Sequence, residues 1–344
     1  MRYDVSRDET VQLITGKEEA KIDIPVLLIF FNRPEKIAAV FEQVKKARPT
    51  RLYLYQDGAR ENREDDRKNV KACREIVSSI DWNCEVHRLF QPQNYGCDPS
   101  EFIAQKWMFS YEEMGIVLED DDVPAQALFP FFKELLMKYK DDNRIAIICG
   151  MNNYDVEKKV SESYFFSKRG SIWGWASWKR FIDLWDAEYS WINDANKVNI
   201  IKEYCDHGLN FDVYYEVACR HRETGREHYE SIMFAAAAQN NMLNVVPKYN
   251  MISNIGIDKE STHSVADIRL LPKRTQKLLY KKTYEIAFPL VHPKEVIRNI
   301  EFDEKYIVSP FERCMDMIEL AARRILWGKG IKETCAGVKR RLKR

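Results

Sequence analysis

The chain has 344 residues, 45% of them hydrophobic and 12% aromatic, which suits one large α/β domain or two smaller ones with a real core and excludes a disordered chain. Lys and Arg number 54 against 53 Asp and Glu, a formal net charge of +1, so no global field points to nucleic acid and any basic feature must be local. Eight cysteines show no C-x-x-C pair and no zinc-like grouping with the six histidines; a chain this long needs no disulfide staples, and the expectation is reduced thiols in a cytoplasmic setting.

Residues 1–22 read as a polar leader, charged and without the apolar core of a signal peptide. Residues 24–31 follow as a fully buried strand that stops at Asn32-Arg33-Pro34-Glu35, where the proline suits the first turn of a helix. Its strongly apolar part is far too short to span a bilayer. Ile37, Val40, Phe41 and Val44 then recur at helical spacing. A second strand over 51–56 ends at Asp57-Gly58, and a charged loop leads into a helix marked by Val70, Cys73, Val77 and Ile80. A third strand covers 84–90. This alternation predicts a largely parallel sheet with helical crossovers.

After Asn94-Tyr95-Gly96-Cys97-Asp98-Pro99, a helix is expected over 100–113 with Ser100 as its N-cap. Next comes Gly115-Ile116-Val117-Leu118-Glu119-Asp120-Asp121-Asp122-Val123-Pro124, a buried strand delivering four carboxylates to the carboxyl edge of the sheet, where open α/β sheets bind ligands. Adjacent acids repel one another, and a hard dication, Mg²⁺ or Mn²⁺, is a natural partner for their oxygens. A solvated acidic turn capping a helix from Val123 onward is the alternative. A helix over 128–139 and a strand over 145–149 extend the sheet to about residue 152.

From Gly170 the composition shifts. Trp173, Trp175, Trp178, Trp185 and Trp191 place five of the eight tryptophans within nineteen residues. Aromatic faces with polar edges suit sugar rings, and core packing is the competing use. A helix over 228–239 carries Glu230 in its first turn, a short strand follows at 243–247, and His263 stands in a loop after Asn254-Ile255-Gly256, either solvated or a metal ligand. Phe311, Met315, Ile318, Ala322 and Ile325 share one helical face ahead of a basic tail, which suits an anionic membrane surface or a helix docked on the domain with a frayed end.

Phe31-Asn32-Arg33-Pro34, Gln56-Asp57-Gly58, Asn94-Tyr95-Gly96-Cys97, Glu119-Asp120-Asp121, the run from Trp173 to Trp178, and Asn254-Ile255-Gly256 with Thr262-His263 together resemble glycosyltransferases of the GT-A fold. The set is similar to bacterial polysaccharide-type transferases, distantly related to the Golgi N-acetylglucosaminyltransferase of hybrid N-glycans. The resemblance covers roughly residues 23–265. It implies a Rossmann-like, mixed and mostly parallel sheet flanked by helices, with a nucleotide-sugar half over 23–122, an acceptor half over 123–308 and a helical extension with a basic tail over 309–344.

On matching positions it further implies that Asn32, Arg33, Asp57, Glu119 and Asp120 hold a nucleotide-diphosphate sugar, a UDP-sugar first among them. Asp121 or Asp122, with His263, would hold Mn²⁺ or Mg²⁺ against the diphosphate. Trp173, Trp175 and Trp178 would meet the sugar or acceptor, and Glu230 would act as catalytic base in an inverting transfer to a glycan or lipid-linked acceptor. The expected setting is the cytoplasm, peripheral on the inner face of the plasma membrane through the tail. The sequence departs from the family at Glu230, where relatives carry aspartate, and at Asp98, where they carry a basic residue; an acid facing a diphosphate is repelled. Both departures leave room for altered or lost transfer. Two other classes compete: a non-catalytic sugar-binding protein of the same fold, and a sugar nucleotidyltransferase, whose glycine-rich phosphate loop is absent from Asn32-Arg33-Pro34-Glu35.

Overall fold

Five consecutive apolar side chains, all buried, make β2 (Val26–Phe30) an interior strand of a nine-stranded sheet in the computed structural model, which describes residues 9–206, 209–257, 267–307 and 310–327. On one side β2 pairs in parallel with β3 (Arg51–Gln56), which pairs in parallel with β4 (Cys84–Phe90). On its other side lies β5 (Met114–Glu119), also parallel, with Val26 opposite Ile116 and Ile29 opposite Glu119. β9 (Trp175–Trp178) runs antiparallel between β5 and β7 (Ile145–Cys149). β10 (Leu243–Pro247) follows parallel to β7, and β8 (Tyr164–Ser167) closes that edge in antiparallel sense.

The opposite edge is β1 (Glu9–Ile14), antiparallel to β4. Part of the expected leader is therefore a sheet strand, with an edge position that leaves Val11 and Leu13 exposed. A two-stranded ribbon of β6 (Asp122–Pro124) and β11 (Ile252–Asn254) stands apart from the sheet. The acids at the end of β5 thus run into a strand and do not cap a helix.

Alternate residues of the buried strands point to two separate cores, as the period of two requires. Val26, Leu28, Phe30, Leu52 and Leu54 meet α1 (Pro34–Ala47), α2 (Glu64–Val77) and α4 (Leu128–Lys138) on one face. Leu27, Ile29, Tyr53 and Tyr55 meet α3 (Cys97–Tyr111), α5 (Lys179–Ile182), α6 (Ala195–Tyr204) and α8 (Tyr229–Gln239) on the other. The helical spacing in α1 is borne out: Ile37, Val40, Phe41 and Val44 are all buried, each contributing roughly 1.5–3 kcal/mol of hydrophobic stabilisation. α3 begins at Cys97 behind Gly96, whose φ of 88° only glycine adopts readily, so Ser100 sits inside the first turn and does not cap it. The chain is an α/β protein with a Rossmann-like, mostly parallel sheet.

Packing also corrects the aromatic reading. Trp175 and Trp178 are 1% and 2% exposed, and Trp185 and Trp191 are buried with them. Trp178 donates its indole N–H to the Leu136 carbonyl at 3.1 Å. Trp175 and Trp178 are core residues, unable to meet a sugar, because their positions on a central strand face the two cores in turn. Trp173, one residue before Gly174 and the strand, stays half-buried.

The remaining helices are α7 (Phe211–Thr224), α9 (Lys273–Gln276), α10 (Ile300–Glu304) and α11 (Pro310–Trp327). α11 is tied to the preceding segment by polar contacts, Glu319 accepting from the Lys273 backbone N–H and Arg323 donating to the Arg269 carbonyl. Met315 and Ile318 on it are exposed. Among the described residues no helix is long and apolar enough to cross a membrane. The basic tail lies outside the described residues, and the described cysteines Cys73, Cys84, Cys97, Cys149, Cys205 and Cys219 are unpaired.

Candidate active site

Strand order reverses at β2: the chain moves from β2 to β3 to β4 on one side, then returns to place β5 on the other. Such a reversal opens a crevice at the carboxyl ends of the two strands. Phe31, Asn32 and Arg33 leave β2 there, and Glu119, Asp120 and Asp121 leave β5. The Arg33 guanidinium clasps Asp120 with two bonds, Nε to Oδ2 at 3.3 Å and Nη2 to Oδ1, while its Nη1 stands 2.8 Å from Asp121 Oδ2. The Phe31 N–H donates to Asp120 Oδ2 at 3.4 Å.

The ribbon fixes the next two acids. Asn254, opposite Asp122 in the β6–β11 pairing, donates from Nδ2 to Asp121 Oδ1 and to Asp122 Oδ1, both at 3.1 Å. The Gly174 N–H donates to Asp122 Oδ2 at 2.7 Å. Both oxygens of fully buried Asp122 are thereby taken, and Asp121 is the one of the pair that lines the cleft. Two glycines are required here. Gly174 has a φ of 59°, and Gly256 lies so close to Asp121 that a Cβ would stand 2.0 Å from its Oδ2.

On the far wall Asp57 organises a loop. Its Oδ1 accepts from the Gly58 and Tyr95 N–H groups at 3.0 and 2.9 Å, and its Oδ2 from the Gly96 N–H at 3.0 Å and Asn94 Nδ2 at 2.7 Å. Burial pushes its pKa up to about 6 despite these donors. Asn32 donates to Asp66 at 2.8 Å, and Asp66 also takes a two-bond grip from Arg60, which holds its carboxyl below the usual range. Arg60 in turn lies 5.4 Å from the Phe31 ring centre. Asn32, Arg33, Asp57, Glu119, Asp120 and Asp121 all border one cleft of about 430 Å³.

Glu101, on α3, escapes motif reading. It is buried beside the acids, and burial first, then Asp120, Asp122, Asp121 and Glu230, raise its pKa well above the carboxylate range. Glu119 is raised likewise, by burial and then Glu101, and Asp122 by burial and then Asp121. The signal was a polar i, i+4 pair, Glu101 and Gln105, inside an otherwise apolar helix; Gln105 donates to Glu101 at 3.4 Å. Several carboxylates thus converge on Arg33, an excess of negative charge that burial makes costly.

Asp98 does not line the cleft. Its Oδ1 lies 3.4 Å from His228 Nδ1, and the His228 ring stacks on His221 with centroids 3.7 Å apart. α8 follows at once: Tyr229 is buried and donates to Glu119 Oε1 at 3.4 Å, while Glu230 is exposed. Glu230 lines a second cavity of about 370 Å³, together with Lys168, Arg169, Met233 and Phe234. Trp173 borders both cavities. His263 lies outside the described residues, and among the described residues no three His, Cys, Asp or Glu side chains stand together as a ligand set for a metal.

No family model matches the sequence, and no curated protein matches it. Among solved structures, similarity is found to a Bacillus anthracis protein, provisionally assigned as a glucose-1-phosphate thymidylyltransferase and crystallised with sucrose. It has 10% identity and a TM-score of 0.25, over 50% of this chain and 75% of that one, a likeness too distant to carry an argument.

Proposed function

We propose that this chain is a metal-dependent glycosyltransferase of the GT-A fold that moves a sugar from a nucleotide-diphosphate sugar to an acceptor hydroxyl with inversion. The observation that carries the reading is the pairing of two cavities across Trp173, one edged by the carboxylates at the sheet's switch point and the other by Glu230. The first has the place and the size for a nucleotide donor. The second opens beside it with an exposed acid.

The donor set fits a hard dication. Asp121 and Glu119 offer oxygens at the cleft surface, and Mg²⁺ or Mn²⁺ is commonly held by one or two carboxylates with phosphates and waters completing the shell, so a cage of three protein ligands is not needed. Bound there, such an ion supplies Lewis-acid stabilisation of the departing diphosphate. Asn254 and Gly256 orient Asp121, and Arg33 offsets the charge of Asp120. Glu230 takes the proton of the acceptor hydroxyl as its oxygen attacks the anomeric carbon and the bond from that carbon to the diphosphate oxygen breaks. Asp98, held against His228, places no charge in the donor cleft.

Nucleotidyl transfer is the weaker reading because Pro34, without an N–H, opens α1 behind Arg33, leaving no glycine-rich amide cradle for a triphosphate. A panel of nucleotide sugars and nucleoside diphosphates, tested for thermal stabilisation with and without Mn²⁺, checks the proposal. Stabilisation by at least one sugar nucleotide is expected with Mn²⁺ and is lost in Asp121→Asn; metal-independent stabilisation by nucleoside triphosphates alone would overturn it.

A further inference from the structure

α11 meets the domain with its polar edge. Asp316, Glu319 and Arg323 recur at spacings of three and four, so they share one side of the helix. Each ties it to the segment over 269–274: Asp316 lies 3.8 Å from Arg274 Nη1, Glu319 Oε2 accepts from the Lys273 N–H at 3.3 Å, and Arg323 Nη1 donates to the Arg269 carbonyl at 3.2 Å. Met315, Ile318 and Ala322 recur at the same spacing one residue earlier, and this stripe is exposed, Met315 by 47% and Ile318 by 56%. By sequence spacing Phe311 and Ile325 fall on it as well. A helix that packs on its own domain buries its apolar stripe and turns its polar face to water. α11 does the reverse.

The charge that adjoins the stripe has one sign. Residues 328–344, outside the described residues, carry seven Lys and Arg against one acid, Glu333, in a chain whose formal net charge is only +1. Lys273 and Lys277, in and just after α9, are exposed as well. An apolar helix stripe beside concentrated positive charge matches the headgroup layer of an anionic bilayer, where burial of the stripe and attraction to the lipid phosphates act together. A second copy of the chain meeting α11 through the same stripe would instead bring two positively charged segments towards one another.

We infer that α11 docks on an anionic lipid surface, laying Met315, Ile318 and Ala322 into the boundary between headgroups and acyl chains while the basic residues after it meet the headgroups. This goes beyond the proposed transferase reading and does not depend on it. The position of the helix gives the contact a use. The segment that holds α11 runs on along both cavities: Leu271, Thr275 and Leu279 border the donor cleft, and Leu278 borders the cavity of Glu230. A lipid surface bound at α11 is therefore one short segment away from both, and a substrate carried on that surface has a short path to them.

Flotation of the full chain with vesicles of phosphatidylcholine alone, and of phosphatidylcholine mixed with phosphatidylglycerol, tests the inference. Binding is expected to be about tenfold or more tighter to the anionic vesicles and to weaken as salt is added. The double variant M315E/I318E and a separate form ending at Trp327 are each expected to lose about tenfold or more of that binding, with thermal melts confirming that both fold. Equal binding of the unaltered protein to the two kinds of vesicle overturns the inference without needing any variant. Unchanged binding by M315E/I318E overturns it too, because the basic residues alone would then account for the attraction. Unchanged binding by the form ending at Trp327 removes the charge complementarity and the inference with it. Sedimentation velocity is run alongside: a concentration-dependent dimer that M315E/I318E abolishes, with no binding to vesicles, assigns the stripe to a second copy of the chain and overturns the lipid assignment. None of these arms reads nucleotide binding, so failure here leaves the transferase reading standing, and failure of the nucleotide panel leaves the vesicle result standing.

Discussion

Gly256→Ala probes the acid cluster without touching any charge. An added Cβ would stand 2.0 Å from Asp121 Oδ2, 2.8 Å from its Cγ and 3.1 Å from Asn254 Oδ1. The carboxylate must retreat by about 1 Å or more to reach an allowed contact, and it is not at the loose end of a flexible chain. Its Oδ2 is 2.8 Å from Arg33 Nη1 and its Oδ1 accepts from Asn254 Nδ2 at 3.1 Å, so the retreat breaks or lengthens both. Overpacking of this kind costs about 1–3 kcal/mol, and a hydrogen bond to a charged group about 1.5–3 kcal/mol. Since the two effects share one side chain they do not add fully, and the expected destabilisation is about 2–4 kcal/mol by chemical denaturation. Misplacing a group that orients a metal ligand typically weakens the metal by about 10–100-fold. Calorimetric titration of a nucleoside diphosphate in the presence of Mn²⁺ should show a loss of that size. A variant with unaltered stability and unaltered Mn²⁺-dependent binding would refute both the close contact and the role given to Asp121.

Trp175→Ala should cost about 3–5 kcal/mol, the usual range for emptying a buried aromatic site, whereas Trp173→Ala should cost clearly less stability and weaken ligand binding instead; denaturation and binding measured side by side distinguish them, and reversed outcomes would undo the assignment of core and cleft. Glu230→Gln should leave nucleotide binding within about twofold of the unaltered protein while slowing transfer by about 10²–10⁴, read by product formation under saturating donor. Asp57 gives a pH signature. Its folded pKa of about 6 exceeds the ordinary aspartate value of 3.8, so between the two the folded state holds that proton while the unfolded chain has released it. The stability this group contributes is full below about pH 4 and is lost as pH rises through 6, amounting to about 3 kcal/mol. Asp57→Asn should therefore flatten the stability profile between pH 4 and 7 by about that amount, and an unchanged slope would exclude the assignment.

What could be read from sequence was what one segment decides alone. The continuous apolar run at β2, the alternation through β4 and the acids after β5 each declare themselves locally, because a buried strand needs an unbroken apolar stretch and a strand end needs none. Partnerships between distant segments were harder. Trp175 and Trp178 look like a sugar platform until β9 is seen wedged between β5 and β7, which buries them from both sides. Asp98 looks adverse to a diphosphate until His228, far along the chain, is found beside it. Asp122 cannot be separated from Asp121 by residue type; what tells them apart is that the Gly174 N–H, reaching in from another element, holds Asp122, while Asp121 borders the cleft. β1 has polar residues interspersed because it lies at an edge, and so it resembles a leader.

The unbroken sheet has a mechanical consequence. β9 and β5 are hydrogen-bonded neighbours, so the wall that carries Trp173 is stitched to the strand that delivers the acids. The two chambers cannot swing apart on a hinge the way two separate lobes would. Their spacing is set by backbone bonds, and under the proposed transfer the exclusion of water falls to segments at the mouths of the chambers rather than to the halves of the protein closing on each other.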